Sequence, residues 1–249
     1  MTIQLQDSSL FKTQAYIDGL WVDSDNGETF AVTDPATGQH LADVASVGAA
    51  ETRRAIDAAE RAMAEWKALP AKSRSEILEK WHQLIIDNTE DLAVIMTAEQ
   101  GKTLAESRGE LAYGASFIKW FAEEGKRVYG DIIPTPQTDR RGVVVKQPIG
   151  VVAAITPWNF PNAMITRKAG PALAVGCAVV LKPAAETPLS ALALVELANR
   201  AGLPAGLFSV VPGIDAPAIG GEMTSNPIIK KLTFTGSTPV GKLLMKQCA

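Results

Sequence analysis

Four short segments hold most of the residues in this 249-residue chain that could do chemistry, and each one closes an apolar run. Thr156-Pro157-Trp158-Asn159-Phe160-Pro161 follows Val151 to Ile155. Its two prolines restrict the backbone and help to fix Trp158 and Asn159 where the run ends. Lys182-Pro183-Ala184, Val211-Pro212-Gly213 and Phe234-Thr235-Gly236-Ser237 close the other three. Gly236 and Gly241 flank a helix start, where glycine lets a backbone approach a phosphate and free N–H groups favour an anion. A plain strand-to-helix turn is the other reading of that pair. With Lys242 following, the same stretch nearly matches a phosphate-binding loop, which makes a P-loop-like nucleotide triphosphatase the runner-up. Leu243 argues against it, because that position needs a hydroxyl for magnesium.

The elements that would position these residues follow from periodicity. From Ala15 to about Ala45, apolar and polar residues alternate between turn formers such as Asp18-Gly19 and Asp34-Pro35, which predicts short strands. From Ala49 to Gly125 the period is helical, with Ile56, Ala59, Met63 and Trp66 on one face and Ile77, Trp81, Leu84 and Ile85 on another. Capping boxes at Ser73/Glu76 and Thr103/Glu106, with stops at Gly101 and Gly125, predict three helices here. Gly130 to Pro148 reads as an extended hairpin or connecting ribbon, interrupted by Pro134 and Pro136. Beyond Ile149, strand candidates at Val151–Thr156, Ala178–Lys182, Leu207–Val211 and Lys231–Thr235 alternate with helix candidates. These helices are expected at Pro161–Val175, Pro188–Ala201, about Ala216–Met223 and Thr238–Cys248, the second capped by Thr187. Strands apolar on both faces and joined by helices define an α/β fold: a Rossmann-like parallel sheet with helices on both faces, preceded by short strands and a helical segment. Ligands in such sheets sit beyond the carboxyl ends of the strands, where all four segments fall.

Composition narrows the function classes. A hydrophobic fraction of 47% supports a sizeable core, and a net charge of −3 with scattered Lys and Arg offers no basic stripe for nucleic acid or an anionic membrane. No apolar run approaches a membrane span, and the N-terminus does not read as a secretory signal, so a cytoplasmic protein is expected. Cys177 and Cys248 suggest neither a disulfide framework nor a metal pair, Cys177 reading as core filler. His40 and His82 stand alone, so no metal site is expected.

Taken together, Thr156 to Pro161, Lys182-Pro183-Ala184 and Phe234 to Thr238, in this order and near these separations, resemble the aldehyde dehydrogenase superfamily from end to end of the chain. Gln14 to Gly19, Ala122 to Arg127 and Ala163 to Lys168 look like its NADP-dependent succinate-semialdehyde branch. The resemblance implies that Asn159 donates its amide to the oxyanion formed on the substrate, the alternative being a helix-capping asparagine. It implies further that Lys182 holds the adenosine ribose and any 2′-phosphate, where by itself it would read as a solvated strand end. Ser237 would contact the pyrophosphate, and Thr156, Trp158 and Gly213 would wall the dinucleotide. NAD-specific relatives carry Glu three residues after the lysine, but this chain has Ala185, so NADP is the expected cofactor with NAD as the alternative. Glu186, one residue on, is the group that could reverse this preference. Arg167 matches an arginine that pairs with a distal substrate carboxylate, an ordinary surface ion pair being the other reading.

The implied organisation is strands and helices of the cofactor domain at 1–129, a bridging or oligomerisation ribbon at 130–148 and a dinucleotide-binding part at 149–249, with the catalytic domain absent. Neither the Glu-Leu-Gly-Gly-like nor the Gly-Gln-x-Cys-like stretch that carries the family's catalytic glutamate and cysteine occurs here. The expectation is a chain that binds cofactor without catalysis, from an enzyme that oxidises succinate semialdehyde or its one-carbon-longer homologue. A small-molecule aldehyde as substrate and a homo-oligomer through exposed apolar surface complete it. A non-catalytic binding or assembly remnant is the remaining alternative.

Overall fold

The computed structural model describes residues 3–249, so the first two residues of the segment 1–129 lie outside the described residues. The N-terminal stretch forms two antiparallel hairpins, β1 (Ala15–Ile17) with β2 (Leu20–Val22) and β3 (Thr29–Thr33) with β4 (His40–Ala45). The first turns on Asp18 at φ 53° and Gly19 at φ 80°, the left-handed pair that a two-residue hairpin favours. A Cβ on Gly19 would lie 2.6 Å from Cβ of Ala205, so glycine is required there for space as well.

Four helices follow: α1 (Ala49–Ala68), α2 (Ala71–Asp87), α3 (Thr89–Gln100) and α4 (Leu104–Glu124). Sequence periodicity predicted three. The extra boundary is a one-residue break at Asn88, with φ −104° and ψ 18°, whose side chain donates back to the Leu84 carbonyl at 2.8 Å. Neither glycine nor proline announces it. The α2 start also differs, because Pro70 and not Ser73 flanks it, with Ser73 N–H donating to the Pro70 carbonyl. The Thr103/Glu106 box is present, and Gly101 ends α3 at φ 89°.

Next come the hairpin β5 (Asp131–Ile133) with β6 (Gly142–Val144), then β7 (Val151–Ile155), α5 (Ala163–Ala174), β8 (Val179–Lys182), α6 (Pro188–Arg200), β9 (Phe208–Val210), α7 (Ala216–Ser225), β10 (Ile229–Phe234) and α8 (Thr238–Cys248). The main sheet runs β10-β7-β8-β9-β1-β2. Its first four strands are parallel, and β1 extends it antiparallel through Tyr16 opposite Val210. The crossovers from β7 to β8 and from β8 to β9 step the same way across the sheet, so a common hand puts α5 and α6 on one face. The return from β9 to β10 puts α7 on the other, beside α1. Helices α2, α3 and α4 form an outer layer over α5 and α6. Trp81 in α2 ties these layers, its indole donating to the Leu194 carbonyl at 3.1 Å and its ring lying 5.7 Å from that of Phe208. Cys177 belongs to this core, at 2% exposure.

Two carboxylates from the outer layer cap helices of the inner one. Glu99, in α3, accepts from Leu189 N–H at 2.8 Å and Ser190 N–H at 2.7 Å, filling the role expected of Thr187. The Thr187 hydroxyl makes no capping bond and is buried without a partner. Burial pushes the Glu99 carboxyl up to about 8, against the pull of the amides that donate to it.

Candidate functional site

Register places the four motif segments along one edge of the sheet. Phe234 in β10 is paired with Ile155 in β7, Ile155 with Lys182 in β8, and Leu181 with Val210 in β9. The parallel strands therefore finish side by side, and Ser237, Thr156 to Pro161, Lys182 to Glu186 and Gly213 all follow those carboxyl ends. Thr156 is buried at the tip of β7, its N–H donating to the Lys182 carbonyl at 3.2 Å. Trp158, Asn159 and Phe160 project from the next turn and are exposed. The Asn159 side chain makes no hydrogen bond to the described residues and does not cap α5.

Lys182 is not a solvated strand end. It is 7% exposed, its ammonium lies 3.3 Å from the Pro183 carbonyl, and burial lowers its pKa. Ala185 beside it is half-buried, while Glu186 is exposed and its charge opposes the lowering of the Lys182 pKa. Gly213 is demanded by a close pass of the chain, since a Cβ there would sit 2.4 Å from the Val47 carbonyl oxygen. Ser237 is the residue before α8, and its side chain makes no capping bond, leaving the hydroxyl beside an uncapped helix start.

The glycine pair has a different reason from the phosphate contact that its spacing suggests. A Cβ on Gly236 would meet the Phe234 ring at 2.5 Å and one on Gly241 would meet it at 3.3 Å. The interior of the turn thus holds an aromatic ring, where a phosphate-binding loop would hold an anion. Leu243 is exposed on α8, offering no metal-binding hydroxyl.

Arg167 lies one turn into α5, exposed and without an ion pair among the described residues. Its guanidinium rests 5.4 Å from the centroid of Phe117 and 3.9 Å from the Met164 sulfur. The surface ion pair that could have explained it is therefore not made. Cys248 sits at the far end of α8, eleven residues long, so it lies about 15 Å from the strand tips.

Sequence reasoning missed three charged residues around these tips. Lys168, in α5, donates to the Thr235 hydroxyl at 2.5 Å, and burial, with Arg167 adding repulsion, pushes its pKa down to about 8. A lysine following Arg167 in a helix rich in alanine and other apolar residues was the available signal. Glu110, in α4, accepts from Asn162 N–H at 2.8 Å and Ala163 N–H at 3.1 Å, capping α5 from outside. Lys102 bonds Glu110 at 2.5 Å and the Asn159 carbonyl at 2.9 Å, and covers the Phe160 ring at 4.4 Å. Their spacing, flanking the Thr103/Glu106 box, points to nothing until α4 and α5 are packed. Histidines contribute no cluster: His40 lies 3.0 Å from Asp43, and a His82 ring nitrogen 2.9 Å from the Ala115 carbonyl.

Fold and register together define a Rossmann-like α/β protein whose parallel strands end side by side along one edge of the sheet. The aldehyde dehydrogenase family pattern matches residues 21–249, and the chain belongs to that family. It is 63% identical to a glutarate-semialdehyde dehydrogenase of Pseudomonas aeruginosa over 99% of its own length and 51% of that relative's. An NADP(+) succinate-semialdehyde dehydrogenase of Escherichia coli is 62% identical over the same shares. A crystal structure described as an Escherichia coli NADP-dependent enzyme superposes with a TM-score of 0.97 at 62% identity, covering 98% of this chain and 51% of that one. The chain thus spans about half the length of the relatives it matches. Family membership displaces the triphosphatase reading.

Proposed function

We propose that this chain is the dinucleotide-binding half of an NADP-preferring dehydrogenase that oxidises a short aldehyde bearing a distal anion to the acid, succinate semialdehyde to succinate foremost. The observation that carries the reading is the shared edge: a buried lysine, an uncapped helix start and an unbonded asparagine amide at adjacent strand tips. Lys182 would hold the ribose and 2′-phosphate, and Ala185 supplies no carboxylate to repel that phosphate. The free Ser237 hydroxyl and first turn of α8 suit the pyrophosphate, with Thr156, Trp158 and Gly213 as walls. The nicotinamide, when bound, accepts a hydride. Asn159 would donate to the oxygen that turns negative when a thiol adds to the aldehyde.

Arg167 would pair with the distal anion, its fork free to take a carboxylate in two bonds. Relatives at 62–63% identity are named for succinate semialdehyde, glutarate semialdehyde and 3-sulfolactaldehyde, which all carry an anionic group away from the aldehyde carbon. That common feature supports the substrate class better than any single member.

Titration followed by nicotinamide fluorescence tests the reading. NADPH should bind saturably and more tightly than NADH. A preference for NADH would reverse the cofactor assignment, and absence of binding to either would remove the function.

A further inference from the structure

We infer that Lys102 and Glu110 act as a positioning pair that sets the direction in which Asn159 presents its side-chain amide; this rests on the aldehyde-oxidising reading above. The second half of the turn after β7 is tied to these two side chains. Midway, the Lys102 ammonium donates to the Asn159 carbonyl at 2.9 Å; at its end, Glu110 Oε1 accepts from Asn162 N–H at 2.8 Å and Ala163 N–H at 3.1 Å. The two ties are one object, because Lys102 also bonds Glu110 Oε2 at 2.5 Å.

The lysine's remaining face covers the Phe160 ring at 4.4 Å, so it contacts two consecutive residues of the turn. Only Phe160 and Pro161 lie between the tied positions, and proline fixes its own φ. The tie at the Asn159 carbonyl limits how that residue's backbone can turn and so where its side chain is aimed. Both groups are withdrawn from solvent, with side-chain exposures of 11% for Lys102 and 1% for Glu110. Burying such a pair gives little net stability over an apolar replacement, so its consequence lies in geometry. An oxyanion donor needs that geometry, since a misplacement of about 1 Å can reduce rate by about 100-fold.

Nuclear magnetic resonance of the 249-residue chain tests this through the Asn159 amide signals. Lys102→Met keeps the stem and removes the charge. Its Asn159 backbone and side-chain amide signals should shift and broaden, while signals remote from the turn and the cofactor affinity stay as in the parent. Lys102→Arg should restore them. Glu110→Gln should speed hydrogen exchange at Asn162 and Ala163 by about tenfold, the loss of a charge-assisted acceptor. Unchanged Asn159 signals in Lys102→Met overturn the inference, as does a general loss of stability with no selective change at the turn. Failure of NADPH to bind the parent chain would instead count against the function, leaving the amide signals to judge the positioning.

Discussion

Lys182 and Lys168 are both lysines lowered by burial, yet they predict different things. Lys182 stands at a strand tip with no carboxylate partner, and a 2′-phosphate there would replace lost hydration with a charge-assisted bond. Lys182→Ala should weaken NADPH binding by about 10- to 100-fold and NADH binding much less, on the scale of about 1.5–3 kcal/mol for a hydrogen bond to a charged group. Equal losses for both cofactors in the fluorescence titration would show that the lysine reads the ribose and not the phosphate. Lys168 titrates near 8 when folded and near 10.5 when unfolded. The unfolded chain binds that proton more tightly, so stability from this group is present above pH 10.5 and lost as pH falls through 8. Calorimetric melts from pH 7.5 to 10 should therefore show the parent gaining on Lys168→Met as pH rises. A constant difference in melting temperature would mean that the ammonium is not strained by burial.

Among the elements, the contact of α4 with α5 decides whether the Asn159 turn is held. Gly114 permits it: a Cβ there would meet Asn162 Oδ1, a buried atom without a partner, at 2.1 Å and the Thr166 hydroxyl at 3.2 Å. Gly114→Ala must push the helices apart, costing about 1–3 kcal/mol and so about 2–12 °C in a chain of this size. A thermal melt within a degree of the parent would show that α4 and α5 accommodate a methyl group by sliding. This contact also marks the boundary of what the sequence could disclose. Strand tips, alternation and the Thr103/Glu106 box are local patterns, written in prolines, apolar runs and cap residues within a few positions. The caps from Glu99 and Glu110 are not local, since their partners lie 90 and 52 residues away and only helix packing brings them near. The same reason hid the pairing of β1 with β9, which the alternation from Ala15 to Ala45 could announce only as short strands. Asn88 was missed differently, because a single residue leaving helical geometry has no composition signature.

At the scale of the whole molecule, the β5–β6 hairpin stands apart from the layered core. It pairs with no other strand among the described residues. Ile132, Val143 and Val145 are 74%, 68% and 71% exposed, while a lone two-stranded hairpin is marginal in water. Apolar side chains held open on an unpaired edge favour addition of another strand or sheet, and a second copy of this chain brings the same hairpin. The chain should consequently elute as more than a monomer in size-exclusion chromatography with light scattering, dissociating on dilution. Replacing Ile132 and Val143 together by Lys should move it to the monomer without altering NADPH affinity, because the hairpin lies outside the strand tips that form the proposed site. An unchanged elution profile would place the association surface elsewhere, on the exposed face of α8 with Leu243 and Met245 before any other.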